Sequence, residues 1–154
     1  MSGIKEKYNQ LKKKYSLPSY DDLNQEFNLE DINAESELVL QNVRRKIYEK
    51  IDYYAELIES VLQPESSLAN MYEAHYTEDD EKNKAYTIFK RLLYILRYSK
   101  LVALDNNEEE NAKFINEVHS EWNSTKKDIK YLIKRLLEIW KIESDIKEDL
   151  SYMG

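Results

Sequence analysis

Two histidines, His75 and His119, carry the side chains of this sequence that are best suited to bind metal ions or transfer protons. A di-iron helical bundle requires Glu-x-x-His on two helices, but Tyr72 stands three positions before His75 and Asn116 three before His119. The His-Glu-x-x-His motif of zinc proteases is also absent from the sequence. We therefore expect no metal site, with His75 exposed in a loop and His119 at the edge of the core.

Other catalytic arrangements lack the residues that they need. The chain has no Cys, which excludes disulfides, thiolate catalysis and cysteine-based zinc sites. The two glycines are Gly3 and Gly154, so the sequence contains no Gly-rich phosphate loop. The acidic runs at 78–81 and 108–110 stand where helix N-termini favour negative charge. We predict a protein that is not an enzyme and uses no cofactor; a carboxylate-only metal site is the enzymatic alternative.

Molecular recognition is indicated by residues 82–104, which include six basic residues and no acidic one. Arginine and lysine neutralise phosphates, and tyrosine rings stack on bases. Tyrosine and arginine also dominate the energetics of protein interfaces. The candidate partner-binding residues share one face of the predicted helix and are Lys90, Arg91, Tyr94, Arg97, Tyr98 and Leu101.

Three interpretations of this face stay open. Acidic helices of the same chain could neutralise Arg91 and Arg97, an acidic protein partner could bind there, or a nucleic acid could. The formal net charge of −7 disfavours long-range attraction of phosphate. A second basic segment would extend a nucleic-acid surface if it lay beside the first, and its residues are Lys126, Lys127, Lys130, Lys134 and Arg135.

The composition predicts that long helices position these residues. Two Gly and two Pro are too few for the many tight turns of a sheet protein. Apolar residues recur at three- and four-residue spacing, which predicts an all-α bundle of about six helices. Three of these helices are long, at about 34–63, 78–104 and 107–142 or beyond. Three are short: one at about 4–15, one that begins at Ser19, and one at about 64–76.

The length of 154 residues fits a single domain over 1–154. We expect short N-terminal helices and a cap over 1–33, the bundle body over 34–142 and a helical extension over 143–154. The acidic segment DDLNQEFNLEDINAESE, residues 21–37, carries well-spaced apolar residues. It could be a fixed cap on the bundle, or a detachable arm that covers the basic face.

The last helix has the most regular pattern in the chain, with steps of three and four from Ile115 to Ile139. If it continued unbroken from 107 to 150, it would span roughly 66 Å, against roughly 40 Å for the preceding helix. This overhang predicts a homodimer seam at Ile139, Ile142, Ile146 and Leu150. The alternative is that its end folds back onto the N-terminal helix at Ile4, Tyr8 and Leu11.

These features together predict a small helical adaptor or assembly module that binds an unknown protein partner. RNA or DNA binding through the basic face is the alternative function. No apolar run approaches the roughly 18 residues of a membrane span. The basic N-terminus MSGIKEKYNQLKKKY is not followed by the apolar region of a secretory signal. We therefore expect a soluble, cytoplasmic protein without a membrane partner.

Overall fold

Six α-helices and one short 3₁₀ turn build the part of the chain that the structure, a computed structural model, describes: residues 3–64 and 67–142. No β-strand occurs within these ranges, so the predicted all-α bundle with three long and three short helices is confirmed. None of the helices in these ranges has the length and hydropathy needed to cross a membrane. The helices are α1 (Gly3–Tyr15), α2 (Tyr20–Phe27), α3 (Val39–Leu62), α4 (Leu68–Tyr76), α5 (Asp79–Asp105) and α6 (Glu108–Ile139), and the 3₁₀ turn is Leu29–Asp31.

Helix α3 begins five residues later than the sequence pattern predicted. The Asn33 side-chain oxygen accepts a hydrogen bond from the backbone N–H of Glu35 at 3.0 Å, and the Ser36 hydroxyl accepts one from the backbone N–H of Leu38 at 3.2 Å. Such local bonds satisfy the backbone in turns and compete with helix formation. The helix therefore starts at Val39, after both side chains have made their turns.

Helix α6 ends at Ile139, three residues before the predicted boundary at 142. The backbone N–H groups of Lys141 and Ile142 bond to carbonyls three residues earlier, at 3.1 and 3.2 Å. This is the tighter 3₁₀ pattern that often finishes an α-helix. The predicted helical extension over 143–154 lies outside the described residues.

The chain falls into two compact units. Unit 1 contains the described residues up to Asp52 together with Tyr94–Asn123, and unit 2 contains Tyr53–Leu93 together with the described residues from Ser124 onward. Each unit therefore includes a part of α3, of α5 and of α6. The assignment of 1–154 to a single domain stays a prediction.

In unit 1 the acidic N-terminal segment is docked as a cap. Ser19 is the N-cap of α2, because its hydroxyl accepts a hydrogen bond from the backbone N–H of Asp22 at 3.1 Å. The Trp122 indole N–H donates to Glu26 at 2.6 Å, and the Trp122 and Phe27 rings lie 5.1 Å apart. Apolar burial and one charged hydrogen bond therefore attach α2 to α6. The buried apolar residues of this unit include Ile4, Tyr8, Leu23, Val43, Ile47, Phe114 and Ile115.

Unit 2 is held by a partly buried ion pair and an aromatic cluster. Arg135 of α6 donates to Glu81 of α5 at 2.6 Å and to the backbone oxygen of Tyr76 at 3.2 Å. The Trp140 ring stacks on Tyr72, with ring centres 4.7 Å apart. The remaining apolar core of this unit includes Ile58, Val61, Ile88, Leu92, Ile129 and Ile139.

The two tryptophans give a matched test of the packing. Each donates its indole N–H to a glutamate, but Trp122 is buried in unit 1 whereas Trp140 is partly exposed in unit 2. Trp122→Phe should lower the free energy of unfolding by about 2 kcal/mol, because it removes a hydrogen bond to a charged group in a buried setting. Trp140→Phe should cost less than about 1 kcal/mol, since solvent can replace the lost bond. Urea unfolding followed by circular dichroism measures both; equal losses would show that Trp122 does not anchor the cap.

Candidate partner-binding face of helix α5

The six predicted partner-binding residues all lie on α5, but they divide between the two units. Lys90 and Arg91 belong to unit 2. The four residues in unit 1 are Tyr94, Arg97, Tyr98 and Leu101.

In unit 2 the charge of Arg91 is neutralised within the chain. Its Nη1 lies 3.0 Å from Asp128 Oδ2 of α6, and the pair is about one-third exposed. Thr125 adds a longer hydrogen bond to the same nitrogen at 3.4 Å. Lys90 is exposed and makes no ion pair with any residue in 3–64 or 67–142. Arg91 therefore fits the internal-pairing interpretation, whereas Lys90 keeps its charge at the surface.

The second basic segment is also partly engaged in unit 2. Arg135 Nε forms an ion pair with Glu81 Oε2 at 2.6 Å. Its guanidinium therefore stabilises unit 2 and is not available to bind a phosphate. Lys127, Lys130 and Lys134 are exposed on α6, while Lys126 is half-buried. Asp128 stands among these lysines and carries the ion pair with Arg91. This segment therefore presents three exposed lysines, whereas Asp128 and Arg135 form ion pairs within unit 2.

In unit 1 the two tyrosines contact α6. The Tyr94 hydroxyl donates to Glu117 Oε2 at 3.1 Å, and this bond raises the pKa of Tyr94 above its ordinary value. The Tyr98 ring meets Phe114 edge-on at 5.1 Å, and burial, followed by the charge of Glu117, raises the pKa of Tyr98. Tyr98 therefore covers the edge of the core, and Tyr94 is oriented by a carboxylate.

An exposed apolar stripe passes along the unit 1 part of α5, and the sequence reasoning found only part of it. Tyr94, Leu101 and Leu104 are 59%, 65% and 80% exposed. With Arg97, which is also exposed, they are spaced three and four residues apart and occupy an arc of roughly 80° on the helix. We call Tyr94, Arg97, Leu101 and Leu104 the α5 stripe. Leu104 was missed, although its spacing from Leu101 repeats the spacing of Arg97 from Tyr94.

The predicted dimer seam has a mixed outcome in the described residues. Ile139 is fully buried in unit 2, so it serves the core of its own chain. Ile142 is partly exposed just beyond the end of α6. Ile146 and Leu150 lie outside the described residues. The homodimer stays a prediction, and Ile139 does not offer a surface for it.

Both histidines lie away from any cluster of metal ligands. His75 is exposed as expected, but it lies in the last turn of α4 and not in a loop, with its ring edge-on to Tyr76 at 4.8 Å. His119 is half-buried on α6. Among residues 3–64 and 67–142, no three histidine or carboxylate side chains come close enough together to hold a metal ion.

Comparison with protein-family models, with curated proteins and with solved structures found no match to this chain. Function must therefore be inferred from its own side chains.

The bond between Tyr94 and Glu117 can be tested by titration. Because the carboxylate accepts from the protonated phenol, Tyr94 should ionise at a higher pH than an ordinary tyrosine, whose pKa is about 10. Glu117→Gln should lower the pKa of Tyr94 toward that value. Glu110→Gln is the control, because Glu110 acts on Tyr98 and does not contribute to the raised pKa of Tyr94. Ring ¹³C NMR of labelled tyrosine measures each titration, and an unchanged Tyr94 pKa in Glu117→Gln would rule out the bond in solution.

Proposed function

We propose that this protein is a non-enzymatic interaction module that binds a helix of a partner protein on the α5 stripe. The observation that carries the proposal is the exposure of Tyr94, Leu101 and Leu104 on one helix face. Single exposed apolar residues are ordinary, but a contiguous row of large ones indicates an interaction site. Tyrosine and arginine, which are both in the row, are enriched at interface hot spots.

The spacing of the α5 stripe favours a helical partner. Steps of three and four residues are the pattern by which one helix presents a seam to another. A bound helix would place its own apolar residues between Leu101 and Leu104 and beside the Tyr94 ring. This arrangement would bury apolar surface that now faces water.

Charge favours an acidic segment on that partner. Arg97 sits within the α5 stripe and has no ion pair with any described residue of this chain. An aspartate or glutamate of the partner, placed opposite Arg97, would pair with it where the surrounding leucines exclude water. The proposed partner is therefore an amphipathic helix with a leucine-type seam and carboxylates along it.

Nucleic acid, the alternative from the sequence, has less support. A phosphate-binding surface is a continuous stretch of positive charge, because each contact releases condensed counterions. In unit 2, Asp128 neutralises Arg91. In unit 1, Glu117 binds Tyr94, and Glu121 acts on the same hydroxyl. These carboxylates would repel a phosphate backbone along the face that was predicted to bind it.

The test is capture from a lysate of the source organism, followed by binding of the captured polypeptide in purified form. We expect Leu101→Ser/Leu104→Ser to weaken that binding by about 30-fold or more, because truncating interface hot spots costs about 2 kcal/mol or more. Isothermal titration calorimetry measures the change. The double variant should keep its unfolding midpoint, since both leucines are exposed.

The matched control is Leu68→Ser/Leu137→Ser, which removes two leucines of similar exposure from unit 2. This control should bind the partner as the unaltered protein does. Arg97→Glu should weaken binding and reduce its salt dependence. Equal binding by both double variants would contradict the proposed site. Two results would favour the nucleic-acid alternative. Ribonuclease treatment of the lysate would abolish the capture, and the affinity of the protein for RNA would fall steeply between about 50 and 200 mM salt.

A further inference from the structure

Helix α3 of unit 1 buries a positive charge that no carboxylate among residues 3–64 and 67–142 neutralises. Arg44 is 5% exposed. Its Nε donates to Asn111 Oδ1 at 2.7 Å, and its Nη1 donates to the Ser99 hydroxyl at 2.7 Å and the Ser99 backbone oxygen at 3.3 Å. All three acceptors are neutral, and no ion pair joins Arg44 to a described residue. Its guanidinium Nη2 makes no hydrogen bond to residues in the described ranges.

An unpaired buried charge is energetically unfavourable, and Arg44 shows the consequence. Burial lowers the pKa of its guanidinium below the ordinary value, and the positive charge of neighbouring Arg45 lowers it further. Arginine nevertheless stays protonated near neutral pH. Buried charges in proteins are usually paired with an opposite charge or an ion. The described residues around Arg44 therefore supply no counter-charge for it.

A cavity of about 270 Å³ lies beside Arg44 within unit 1. Three cationic side chains line it, Arg44, Arg45 and Lys100, and none of the described residues that line it carries a carboxylate. The cavity is smaller than typical pockets for drug-sized ligands, which begin at about 300 Å³. The other residues around it are Gln41, Tyr48, Ser99, Ala103 and Asn106.

This imbalance of charge is absent from the larger concavity of unit 1. That concavity, of about 640 Å³, is lined by Arg45 and Lys46 but also by Asp31, Glu35 and Glu49. Lys46 there forms an ion pair with Asp31 at 3.6 Å. A protein with a formal net charge of −7 thus concentrates unneutralised positive charge at the Arg44 cavity.

We propose that the Arg44 cavity binds a small divalent tetrahedral oxyanion, namely phosphate or the phosphoryl group of a small molecule. This inference goes beyond the interaction module proposed above and does not depend on the α5 stripe.

The donors present match such an anion better than they match a carboxylate. Arg44 and Arg45 carry guanidinium N–H groups and Lys100 carries an ammonium group, so three positively charged side chains line one cavity. A planar monovalent carboxylate would leave most of that charge uncompensated. The Tyr48 and Ser99 hydroxyls add neutral donors at the cavity wall.

The two exposed cations can reach an anion without breaking an ion pair. Lys100 Nζ lies 4.8 Å from the centre of the Tyr48 ring, a modest cation–π contact, and it has no ion pair with a described residue. Arg45 is exposed and likewise has no ion pair within the described residues. Arg44 is instead fixed in place by Ser99 and Asn111. The site therefore has one rigid charge and two adjustable ones.

The position of Arg44 is itself fixed by a hydrogen-bonded network of side chains. Asn106 donates to Gln41 at 2.5 Å, and Asn111 donates to Asn106 at 3.3 Å while accepting from Arg44. Asn106 has a positive φ of 51°, which asparagine tolerates, and it closes α5. The network joins α3, α5 and α6 in unit 1. It holds the guanidinium in one orientation beside the cavity.

The experiment is thermal unfolding of the full chain at pH 7.5 with increasing inorganic phosphate, at ionic strength held constant with sodium chloride. A ligand that binds the folded state alone raises the unfolding midpoint in a saturable way. We expect such a rise with phosphate and with sulfate, and a smaller one with acetate. In Arg45→Gln/Lys100→Gln, which alters exposed residues, the phosphate dissociation constant should increase at least tenfold.

Lys127→Gln/Lys130→Gln is the matched control, because it removes two exposed positive charges from unit 2 and should leave the phosphate response unchanged. Arg44→Lys should also lose the response, but its buried position makes the exposed double variant the decisive one. Methyl phosphate distinguishes the two sources. Equal or tighter binding than inorganic phosphate indicates a phosphoryl group on a larger molecule, and weaker binding indicates free phosphate. Three results would overturn the proposal. They are an unfolding midpoint that does not rise saturably with phosphate, a midpoint that rises equally with acetate, and a full phosphate-dependent rise in Arg45→Gln/Lys100→Gln.

Discussion

Unit 1 depends on a positive charge that is buried without a counter-charge from any residue that the structure describes. The Arg44 guanidinium is held by Ser99 of α5 and Asn111 of α6, so it connects three helices through hydrogen bonds alone. Removing one partner of a buried polar network leaves the others unsatisfied, at a cost of about 1–3 kcal/mol per group. This constraint fixes the parts of α3, α5 and α6 that surround the cavity. The same constraint leaves an excess of positive charge that an anion can neutralise.

The part of α5 in unit 1 serves two surfaces. Ser99 and Lys100 face the Arg44 cavity, whereas Tyr94, Leu101 and Leu104 form the exposed stripe. A helix has enough circumference for both, because residues 100 and 101 lie about 100° apart. Binding of an anion and binding of a partner helix would therefore involve different residues of one element. Substitutions at one surface therefore leave the residues of the other surface in place, so the two binding activities can be tested separately on the same helix.

The sequence predicted the elements better than the site. The spacing of apolar residues along one helix indicates which of its faces is buried. The buried stripe from Ile115 to Ile139 could be identified because this spacing is read within a single segment of the sequence. Ion pairs depend on the alignment of one helix with another, so the pairing of Arg91 with Asp128 could not be assigned from spacing alone. The start of α3 was misplaced because Asn33 and Ser36 make turns that hydrophobic patterning does not report.

Arg44 was missed although the sequence carries a signal for it. It interrupts the apolar series Leu40, Ile47, Ile51, at the position where that stripe requires a buried residue. A charged residue within such a series marks a group that must find polar partners inside the protein. The sequence could not show which residues these partners are, because Asn111 and Ser99 are far from Arg44 along the chain. It therefore could not show that the partners are neutral.

The most direct test of the account is NMR observation of the Arg44 side chain. Its Nε–Hε signal, assigned by its loss in Arg44→Lys, reports on the buried guanidinium itself. We expect a protected signal, because Nε donates to Asn111. This signal should shift saturably with phosphate and not with chloride. Rapid exchange of this signal with water would contradict the claim that the charge is buried. A signal that phosphate leaves unchanged, while surface lysine signals shift, would contradict the claim that the charge lacks its counter-ion.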